Sequence, residues 1–472
     1  MSLPANLPNF PADFKGDIVT QDHPEYEEAI QRWSRSAERR AAVVAYIKDA
    51  EDATIAIAYA RENELPIAIK GGGHSSAGAS SVENGLVIDC SRYLRYCHVD
   101  PAKKTARVGG GTLWADVDWA AYEHGLATVG GTVNDTGVAG LTLGGGFGYL
   151  SGQHGLALNN MVEATVVLAD GTILLASASK HPDLFFGIRG GGSNFGVITE
   201  FVFRLHEQKP MVFGGFLSFR SADIPQLVNA IEHYWEVQDP RACMFVTLSA
   251  KLTTRFQSGI RCLIFYDGLK HEAHRHFARF FEIGPISNSA KEIPYIEANA
   301  TLNETFKPGA CEYQKSIGHT VPSASLLEEL TRMIKLYGAA GGPSPIVMFN
   351  FWPKKRLMEH HVTECAFRHD PYPDLAFIAS YKSNTPENLA TARARVYELH
   401  DFVRSFDAMA GMSTSALAGY ANNDDEAAST ELEKRAKRSR EAFGDVYPRL
   451  QQIKKKYDPD MVFNRWYPII PA

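Results

Sequence analysis

Residues 130–150 form the most glycine-rich stretch of the chain and read GGTVNDTGVAGLTLGGGFGYL. Eight of these 21 residues are glycine, and most of the others are small or aliphatic. Glycine loses more conformational entropy on folding than any other residue, so a long run of it suits a backbone that must approach another group closely. A purely structural loop does not require so long a run. The stretch therefore predicts main chain that lies flat against a large planar or phosphorylated ligand.

A second glycine-rich segment, Lys70–Ser76, reads KGGGHSS and follows a predicted strand at 65–69. Backbone without side chains lets several N–H groups converge on an anion, and Ser75 and Ser76 add hydroxyl donors. His74 is a nucleophile beside that cradle. The heptapeptide alone is equally compatible with a His74 that only caps the turn through its ring nitrogens.

Hydrophobic patterning divides the chain near residue 205. The first part predicts an α/β arrangement, with helices at 49–63 and 112–124, strands at 86–88, 106–108 and 195–205, and a hairpin of 165–168 with 172–175. Beyond residue 206 strand-like runs alternate with helical ones, which predicts an antiparallel sheet backed by helices. These strands are 214–219, 244–252, 260–266, 346–352 and 375–381; the helices are 223–237, 270–281 and 325–337, with one or two more at 426–456.

Composition excludes several classes of protein. A chain of 472 residues exceeds one hydrophobic core, so two domains are expected. The net charge of −6 makes broad binding to nucleic acid or anionic membranes a poor expectation. With no signal peptide or membrane span in the pattern, we expect an intracellular, cytoplasmic protein. The chain lacks a GxxxxGK[ST] loop, a complete GxGxxG and any zinc pattern, so no metal site is expected.

Four segments together resemble the berberine bridge enzyme-like flavoproteins of the vanillyl-alcohol oxidase/p-cresol methylhydroxylase superfamily. They are KGGGHSSAG (70–78), GTVNDTGVAGLTLGGGFGYLSGQHGLALNN (131–160), RGGGSNFGVITEF (189–201) and YDPDMVFNRWYPI (457–469). The resemblance implies an α+β fold that binds FAD. It places the N-terminal part of a two-part FAD-binding domain at 1–205 and a substrate-binding domain with an antiparallel sheet backed by helices at 206–415. A C-terminal segment, 416–472, returns to the FAD domain.

The resemblance identifies His74 with the histidine that the family attaches to the 8α-methyl carbon of the flavin. Electron withdrawal by the flavin ring makes that methyl group acidic, and a neutral imidazole adds to the carbon. The other cofactor-binding residues that it implies are Lys70, Gly71, Gly72, Gly73, Ser75, Ser76, Gly131, Thr132, Thr136, Gly137, Gly140, Leu141, Gly144, Gly145, Gly146, Gly148, Asn160, Val197 and Tyr467.

Three positions depart from the family pattern and change what is expected of the covalent link, the reaction with dioxygen and the catalytic base. Many members carry a second link through a cysteine at the position of Val133, which has no nucleophile, so a single covalent link through His74 is expected. Thr136 occupies the family's oxygen-gate position, which governs how dioxygen reacts with the flavin and is often valine or leucine. Because threonine is polar, oxidase and dehydrogenase behaviour both stay open. The family's Tyr-x-Asn-Tyr motif appears as Tyr420, Ala421, Asn422 and Asn423, and an amide is no general base near neutral pH.

The catalytic candidates are therefore Tyr420, Asn422, Tyr149 and Asn350, each of which could instead be structural. The resemblance implies an FAD-dependent oxidoreductase that moves a hydride from a C–H bond of an alcohol or amine, a secondary metabolite or a sugar, to flavin N5. Dioxygen would reoxidise the flavin and yield hydrogen peroxide, and Asn423 argues against sugar oxidation. Two alternatives stay open: a biosynthetic cyclase that uses FAD structurally, and a non-catalytic FAD-binding protein.

Overall fold

The N-terminal elements form a small mixed sheet in the order β1-β2-β4-β3, in which β2 and β3 both run parallel to β4. A computed structural model describes residues 7–252, 256–359, 364–369, 372–409, 419–425 and 432–472. The first elements are β1 (Asp17–Thr20), α1 (Tyr26–Ala29), β2 (Val43–Tyr46), α2 (Ala50–Glu62), β3 (Ile67–Lys70) and β4 (Leu86–Asp89). The predicted helix at 49–63 is confirmed, and Asp49 caps it by accepting a hydrogen bond from the Asp52 N–H.

A second sheet, of five antiparallel strands in the order β5-β6-β10-β8-β9, carries the next part of the chain. The predicted hairpin is confirmed as β8 and β9, joined by a turn in which Gly171 has φ of +84°. The elements are β5 (Cys97–Asp100), β6 (Thr105–Gly109), α3 (Trp114–Tyr122), β7 (Leu126–Ala127), α4 (Val138–Leu143), α5 (Ser151–His154), α6 (Ala157–Asn160), β8 (Met161–Val167), β9 (Ile173–Ser177), α7 (Pro182–Gly191), β10 (Val197–Arg204) and β11 (His206–Glu207), which pairs with β7.

The third sheet has eight strands, antiparallel throughout, and confirms the predicted sheet backed by helices. Its order is β15-β12-β14-β13-β18-β19-β17, with β16 also paired to β12. The elements are β12 (Met211–Phe219), α8 (Ile224–Val237), β13 (Ala242–Leu252), β14 (Phe256–Tyr266), α9 (Lys270–His276), α10 (Ala278–Glu282), β15 (Ser287–Asn288), β16 (Lys291–Pro294), α11 (Tyr295–Ala298), β17 (Cys311–Gly318), α12 (Ala324–Ala340), β18 (Ser344–Phe351), α13 (Lys355–Met358), β19 (Asp374–Tyr381), α14 (Pro386–Met409), α15 (Leu432–Phe443) and α16 (Tyr447–Tyr457).

Side chains of this sheet alternate between two hydrophobic layers. In β13, Met244 and Val246 pack in the layer covered by α8, α12 and α14, whereas Cys243 and Phe245 face the opposite layer. Tyr149, near the end of the glycine-rich stretch, and Leu156, shortly after it, belong to that opposite layer. Since successive residues of a strand point to opposite faces, one sheet face is sealed by helices and the other covers the glycine-rich half.

One predicted helix needs correction, and two elements were not predicted. The predicted helix at 270–281 is two helices, because Phe277 leaves helical geometry between them at φ −97° and ψ 18°. The sequence patterns did not predict β17 or α14. The start of the helical segment predicted at 426–456 lies outside the described residues, and its remainder forms α15 and α16 with a short 3₁₀ turn between them. The domain bounds 1–205, 206–415 and 416–472 stay a prediction.

One buried lysine connects the C-terminal helix α16 to the RGGGSNFGVITEF segment at 189–201. The Lys454 ammonium is completely buried and donates to Asp458 Oδ2 at 2.6 Å. It also donates to the backbone oxygens of Asn194 and Phe463, at 2.5 and 2.7 Å. Burial lowers the pKa of Lys454, which Asp458 opposes. Among the described residues, no helix is long and apolar enough to cross a membrane.

We expect Lys454→Met to cost about 3–5 kcal/mol of unfolding free energy, because it leaves the buried Asp458 carboxylate without its cation. Lys455→Met, an exposed neighbour on the same helix, should be close to neutral. Urea denaturation followed by circular dichroism measures both variants. Equal stability of the two would contradict the role assigned to Lys454.

Candidate functional site

The two glycine-rich segments meet backbone to backbone. A Cβ atom on Gly72 would lie 2.6 Å from the Gly137 Cα atom, and one on Gly137 would lie 2.5 Å from the Gly72 N atom. Neither position accepts a side chain, since non-bonded carbon atoms do not approach so closely. The segments therefore form one wall, with α4 leaving it directly after Gly137.

A cavity of about 270 Å³ runs along this wall. It brings together eleven of the predicted cofactor-binding residues: Gly71, Gly72, Gly73, His74, Ser75, Ser76, Thr136, Gly137, Gly140, Leu141 and Gly144. The catalytic candidates Tyr420 and Asn422 line the same cavity. Gly192 and Trp466 also contribute, so segments far apart in the chain converge here.

A second cavity, of about 150 Å³, adjoins the first. The two share the residues at their boundary, which are His74, Thr136, Leu141, Gln314, Tyr420 and Asn423. The predicted residues Gly131, Thr132 and Asn350 line only the second cavity. Its other walls are mostly apolar: they combine the aromatic residues Trp33, Phe147, Phe245, Phe306 and Trp352 with the aliphatic residues Val133, Leu302, Met348 and Ile378.

His74 stands where the two cavities meet, against an aromatic ring and a carboxylate. Its imidazole stacks on Trp33, with ring centroids 4.2 Å apart. Its Nε2 atom lies 3.4 Å from Asp135 Oδ1, and Trp33 Nε1 donates to the other carboxylate oxygen at 3.0 Å. The preceding Gly73 has φ of +72°, a conformation that favours glycine and turns the chain into the His74 position.

The C-terminal segment contacts both glycine-rich segments through hydrogen bonds. The Tyr420 hydroxyl accepts from the Gly146 N–H at 3.0 Å and from Asn422 Nδ2 at 2.7 Å. Burial raises the pKa of Tyr420 to about 12, so the phenol is neutral at ordinary pH. A Cβ atom on Gly144 would lie 2.0 Å from Asn422 Oδ1, so a side chain there would displace the Asn422 amide.

Asp425 joins the glycine-rich segment Lys70–Ser76 to the third sheet, and the sequence analysis missed it. Ser76 Oγ donates to Asp425 Oδ1 at 2.5 Å, and the Gln314 N–H donates to Oδ2 at 2.9 Å. Burial raises the pKa of Asp425 to about 8, although both hydrogen bonds oppose the shift. This carboxyl therefore links the Lys70–Ser76 segment to β17.

Two further carboxyls line the second cavity and were also missed. Glu312 accepts hydrogen bonds from Gln314 Nε2 at 2.7 Å and Ser380 Oγ at 3.1 Å, and burial raises its pKa. Asp374 accepts from Asn350 Nδ2 at 3.1 Å. Glu312 lies on β17, a strand that was not predicted. Asp374 lies on β19, which was predicted to begin one residue later, at 375.

Tyr149, a predicted catalytic residue, does not reach either cavity. Its ring is buried in the hydrophobic layer under the sheet and stacks on Phe265, with centroids 4.7 Å apart. Burial raises its pKa well above the ordinary value of 10. The residue packs the sheet against the glycine-rich half, so the structure gives its catalytic assignment no support.

Several predicted cofactor-binding residues also lie behind the cavity walls. Lys70 pairs with Asp89 at 2.8 Å, Asn160 bonds to His206, and Val197 is buried in β10. The Tyr467 hydroxyl donates to Asp424 at 2.8 Å. Gly145, Gly146 and Gly148 form the turn behind Gly144; the first two have positive φ, and a Cβ on Gly148 would lie 1.9 Å from a backbone oxygen. Their predicted roles stay predictions.

Comparison with known families matches two parts of the chain. Residues 41–177 match the FAD binding domain family, and residues 419–469 match the berberine and berberine-like family. The second match covers the segment that carries Tyr420, Asn422 and Asp425. Residues from both matched ranges therefore line the larger cavity.

Whole-chain relatives agree with these matches. The FAD-linked oxidoreductase pgmH of Aspergillus terreus is 31% identical, covering 98% of this chain and 95% of its own. The (R)-6-hydroxynicotine oxidase of Paenarthrobacter nicotinovorans is 28% identical over 98% of each chain.

Solved structures give the same fold. The 6-hydroxy-D-nicotine oxidase structure from Arthrobacter nicotinovorans superposes with a TM-score of 0.86 at 26% identity, covering 98% of this chain and 99% of its own. The Physcomitrella patens BBE-like 1 structure, at 20% identity and a TM-score of 0.82 over 98% of both chains, agrees in fold alone. The chain belongs to the berberine bridge enzyme-like family of FAD-linked oxidoreductases, with the α+β fold of the vanillyl-alcohol oxidase superfamily.

Proposed function

We propose that FAD lies along the larger cavity and is joined covalently to His74 alone. A small amine is oxidised in the second cavity, with dioxygen as the final electron acceptor. The observation that carries the proposal is the position of His74, which lines both cavities where they meet. Val133, at the position of the family's second link, offers no nucleophile. Bound FAD supplies a two-electron acceptor that dioxygen can regenerate.

The open space beside Gly140 is evidence that the larger cavity fits FAD. It lies inside α4 and lines the cavity, yet a Cβ atom built on it would meet nothing within 4 Å. The protein's own packing therefore does not require glycine there, and glycine costs helix stability relative to alanine. A ligand in van der Waals contact with the backbone of α4 accounts for it. The residues present fit the cofactor that the family uses.

The second cavity supports an amine substrate. Its aromatic walls suit an apolar body and a cation, which is attracted to the faces of such rings. The carboxyls of Glu312 and Asp374 face this cavity, and none of the described residues that line it is lysine or arginine. A relative named for oxidising 6-hydroxynicotine agrees with this assignment. Asn423, which replaces the second tyrosine of the family's motif, argues against a sugar substrate.

Glu312 is the proposed proton acceptor. Burial holds its pKa above the ordinary value, so it takes a proton from an ammonium group more readily than a surface carboxyl does. Gln314 and Ser380 orient the carboxyl through hydrogen bonds. Asn423 cannot serve in this role, and the neutral Tyr420 is held by two donors.

The covalent link predicts that acid precipitation leaves the yellow colour in the pellet of the wild-type protein. His74→Ala should release all FAD to the supernatant, whereas His124→Ala, an exposed histidine, should retain it. Absorbance of both fractions and the mass of the His74 peptide measure the attachment. A colourless wild-type pellet would refute the link.

Gly140→Ala should weaken FAD binding by at least about tenfold, or about 1.4 kcal/mol, because the new methyl group occupies the space of the cofactor. The apoprotein should be equally stable or slightly more stable, since alanine favours a helix. Titration in a His74→Ala background gives the dissociation constant without the covalent bond. Unchanged affinity would place the cofactor away from α4.

Oxidation of an amine predicts that anaerobic mixing bleaches the flavin absorbance and that air restores it with release of hydrogen peroxide. Glu312→Gln should lower kcat/KM for amines about 10²-fold and that for neutral alcohol analogues much less. Because the raised pKa belongs to an acid, the reactive carboxylate is lost as the pH falls through it. The acid limb of the wild-type profile should therefore disappear in the variant.

Ser380→Ala provides the matched control, because it removes a hydrogen bond to Glu312 but keeps the carboxyl. Equal losses for amines and alcohols would contradict the role of Glu312. Turnover of a substrate without bleaching would favour the cyclase that uses FAD structurally. Slow reduction by every compound tried would favour a non-catalytic FAD-binding protein.

A further inference from the structure

We propose that Asp135 keeps the proton of the His74 imidazole on Nε2, so that Nδ1 is free to form the covalent bond to the flavin. This inference rests on the attachment proposed above and adds the residue that prepares its nucleophile. Asp135 acts through His74 and is therefore a positioning residue. It lies in the glycine-rich stretch, directly before Thr136.

Two unsatisfied polar atoms face each other at this point. His74 Nε2 and Asp135 Oδ1 are 3.4 Å apart, and each is buried without a hydrogen-bond partner in the described part of the chain. A buried polar atom without a partner costs free energy. Each atom supplies what the other lacks, and a small rotation of either side chain converts the contact into an N–H···O hydrogen bond.

Trp33 determines which carboxylate oxygen is left for His74. Its indole nitrogen only donates hydrogen bonds, and it donates to Asp135 Oδ2 at 3.0 Å. The same indole ring stacks on the imidazole at an interplanar angle of 24°. Trp33 thus holds the imidazole plane and the carboxylate together, with Oδ1 3.4 Å from Nε2.

The carboxylate selects one tautomer of the imidazole. Neutral histidine carries one N–H and one nitrogen lone pair, and a carboxylate can only accept a hydrogen bond. The proton therefore stays on Nε2 and the lone pair on Nδ1. In the other tautomer Nδ1 would carry the proton and could not attack carbon.

The attachment step balances with dioxygen as the oxidant. A bond forms between Nδ1 and the 8α carbon of the flavin, one C–H bond of that methyl group breaks, and the Nε2 proton leaves toward Asp135. The two electrons of the broken C–H bond pass to the flavin ring. Dioxygen removes these electrons together with the two protons as hydrogen peroxide, leaving the oxidised, linked cofactor.

The experiment measures how fast apoprotein becomes covalently flavinylated after FAD is added. Denaturing gels read by flavin fluorescence give the linked fraction with time, and the FAD affinity of each variant in a His74→Ala background separates binding from attachment. Asp135→Asn should slow attachment on the order of 10²-fold, the lower range for a positioned acid–base group. The Trp33 N–H holds the amide oxygen, so the amide N–H₂ faces Nε2 and favours the unreactive tautomer.

The order of the variants separates this role from a merely structural one. We expect Asp135→Ala to attach FAD faster than Asp135→Asn, because alanine imposes no tautomer. Adding Trp33→Phe to Asp135→Asn should restore part of the rate, since the amide is then free to turn its oxygen toward Nε2. A structural role predicts the reverse order, because asparagine is the closer mimic of aspartate.

Two results overturn the inference. Attachment in Asp135→Asn at the wild-type rate removes the role of Asp135 but leaves the link at His74 intact, and so does slower attachment in Asp135→Ala than in Asp135→Asn. If the wild-type apoprotein never becomes linked under air, the proposed attachment itself fails and this inference fails with it.

Discussion

The contact between the backbones of Gly72 and Gly137 is the constraint on which the site depends. With a Cβ on Gly72 only 2.6 Å from the Gly137 Cα, the two glycine-rich segments can meet only without side chains. That contact brings His74 and α4 to the same cavity wall. A substitution at either glycine would push the segments apart and open the wall that the cofactor is proposed to lie against.

The remaining walls come from parts of the chain that are distant in sequence. Tyr420 and Asn422 reach back to the glycine turn at Gly144–Gly146, and Asp425 ties Ser76 to β17. The sheet then closes the second cavity with aromatic rings and two carboxyls. Residues 419–425, which begin the berberine-like match, thereby connect the glycine-rich half to the third sheet.

Local chemistry explains how much could be predicted from the sequence. The helix at 49–63 and the hairpin of 165–168 with 172–175 follow from nearby residues, and both were predicted. The family resemblance implied that both glycine segments bind FAD, but the direct contact between their backbones was not predicted. Phe277 was not predicted to interrupt a helix, since the break depends on packing that periodicity does not record.

The carboxyls of the site could not be predicted from neighbouring residues in the sequence. Glu312, Asp374 and Asp425 matter because strands and segments from different regions bury them beside the cavities. Asp135 gained its meaning only when Trp33 and His74, 102 and 61 residues earlier in the chain, were found against it. Conversely, Tyr149 had the right chemistry for catalysis but lies in a hydrophobic layer.

A crystal structure of the yellow protein as purified tests the central claim most directly. The account predicts electron density for FAD along Gly71–Gly73 and α4, continuous from the 8α carbon to His74 Nδ1, with the flavin ring at the boundary of the two cavities. Density for the cofactor elsewhere, or an unmodified His74 imidazole with no bond to the flavin, would contradict it.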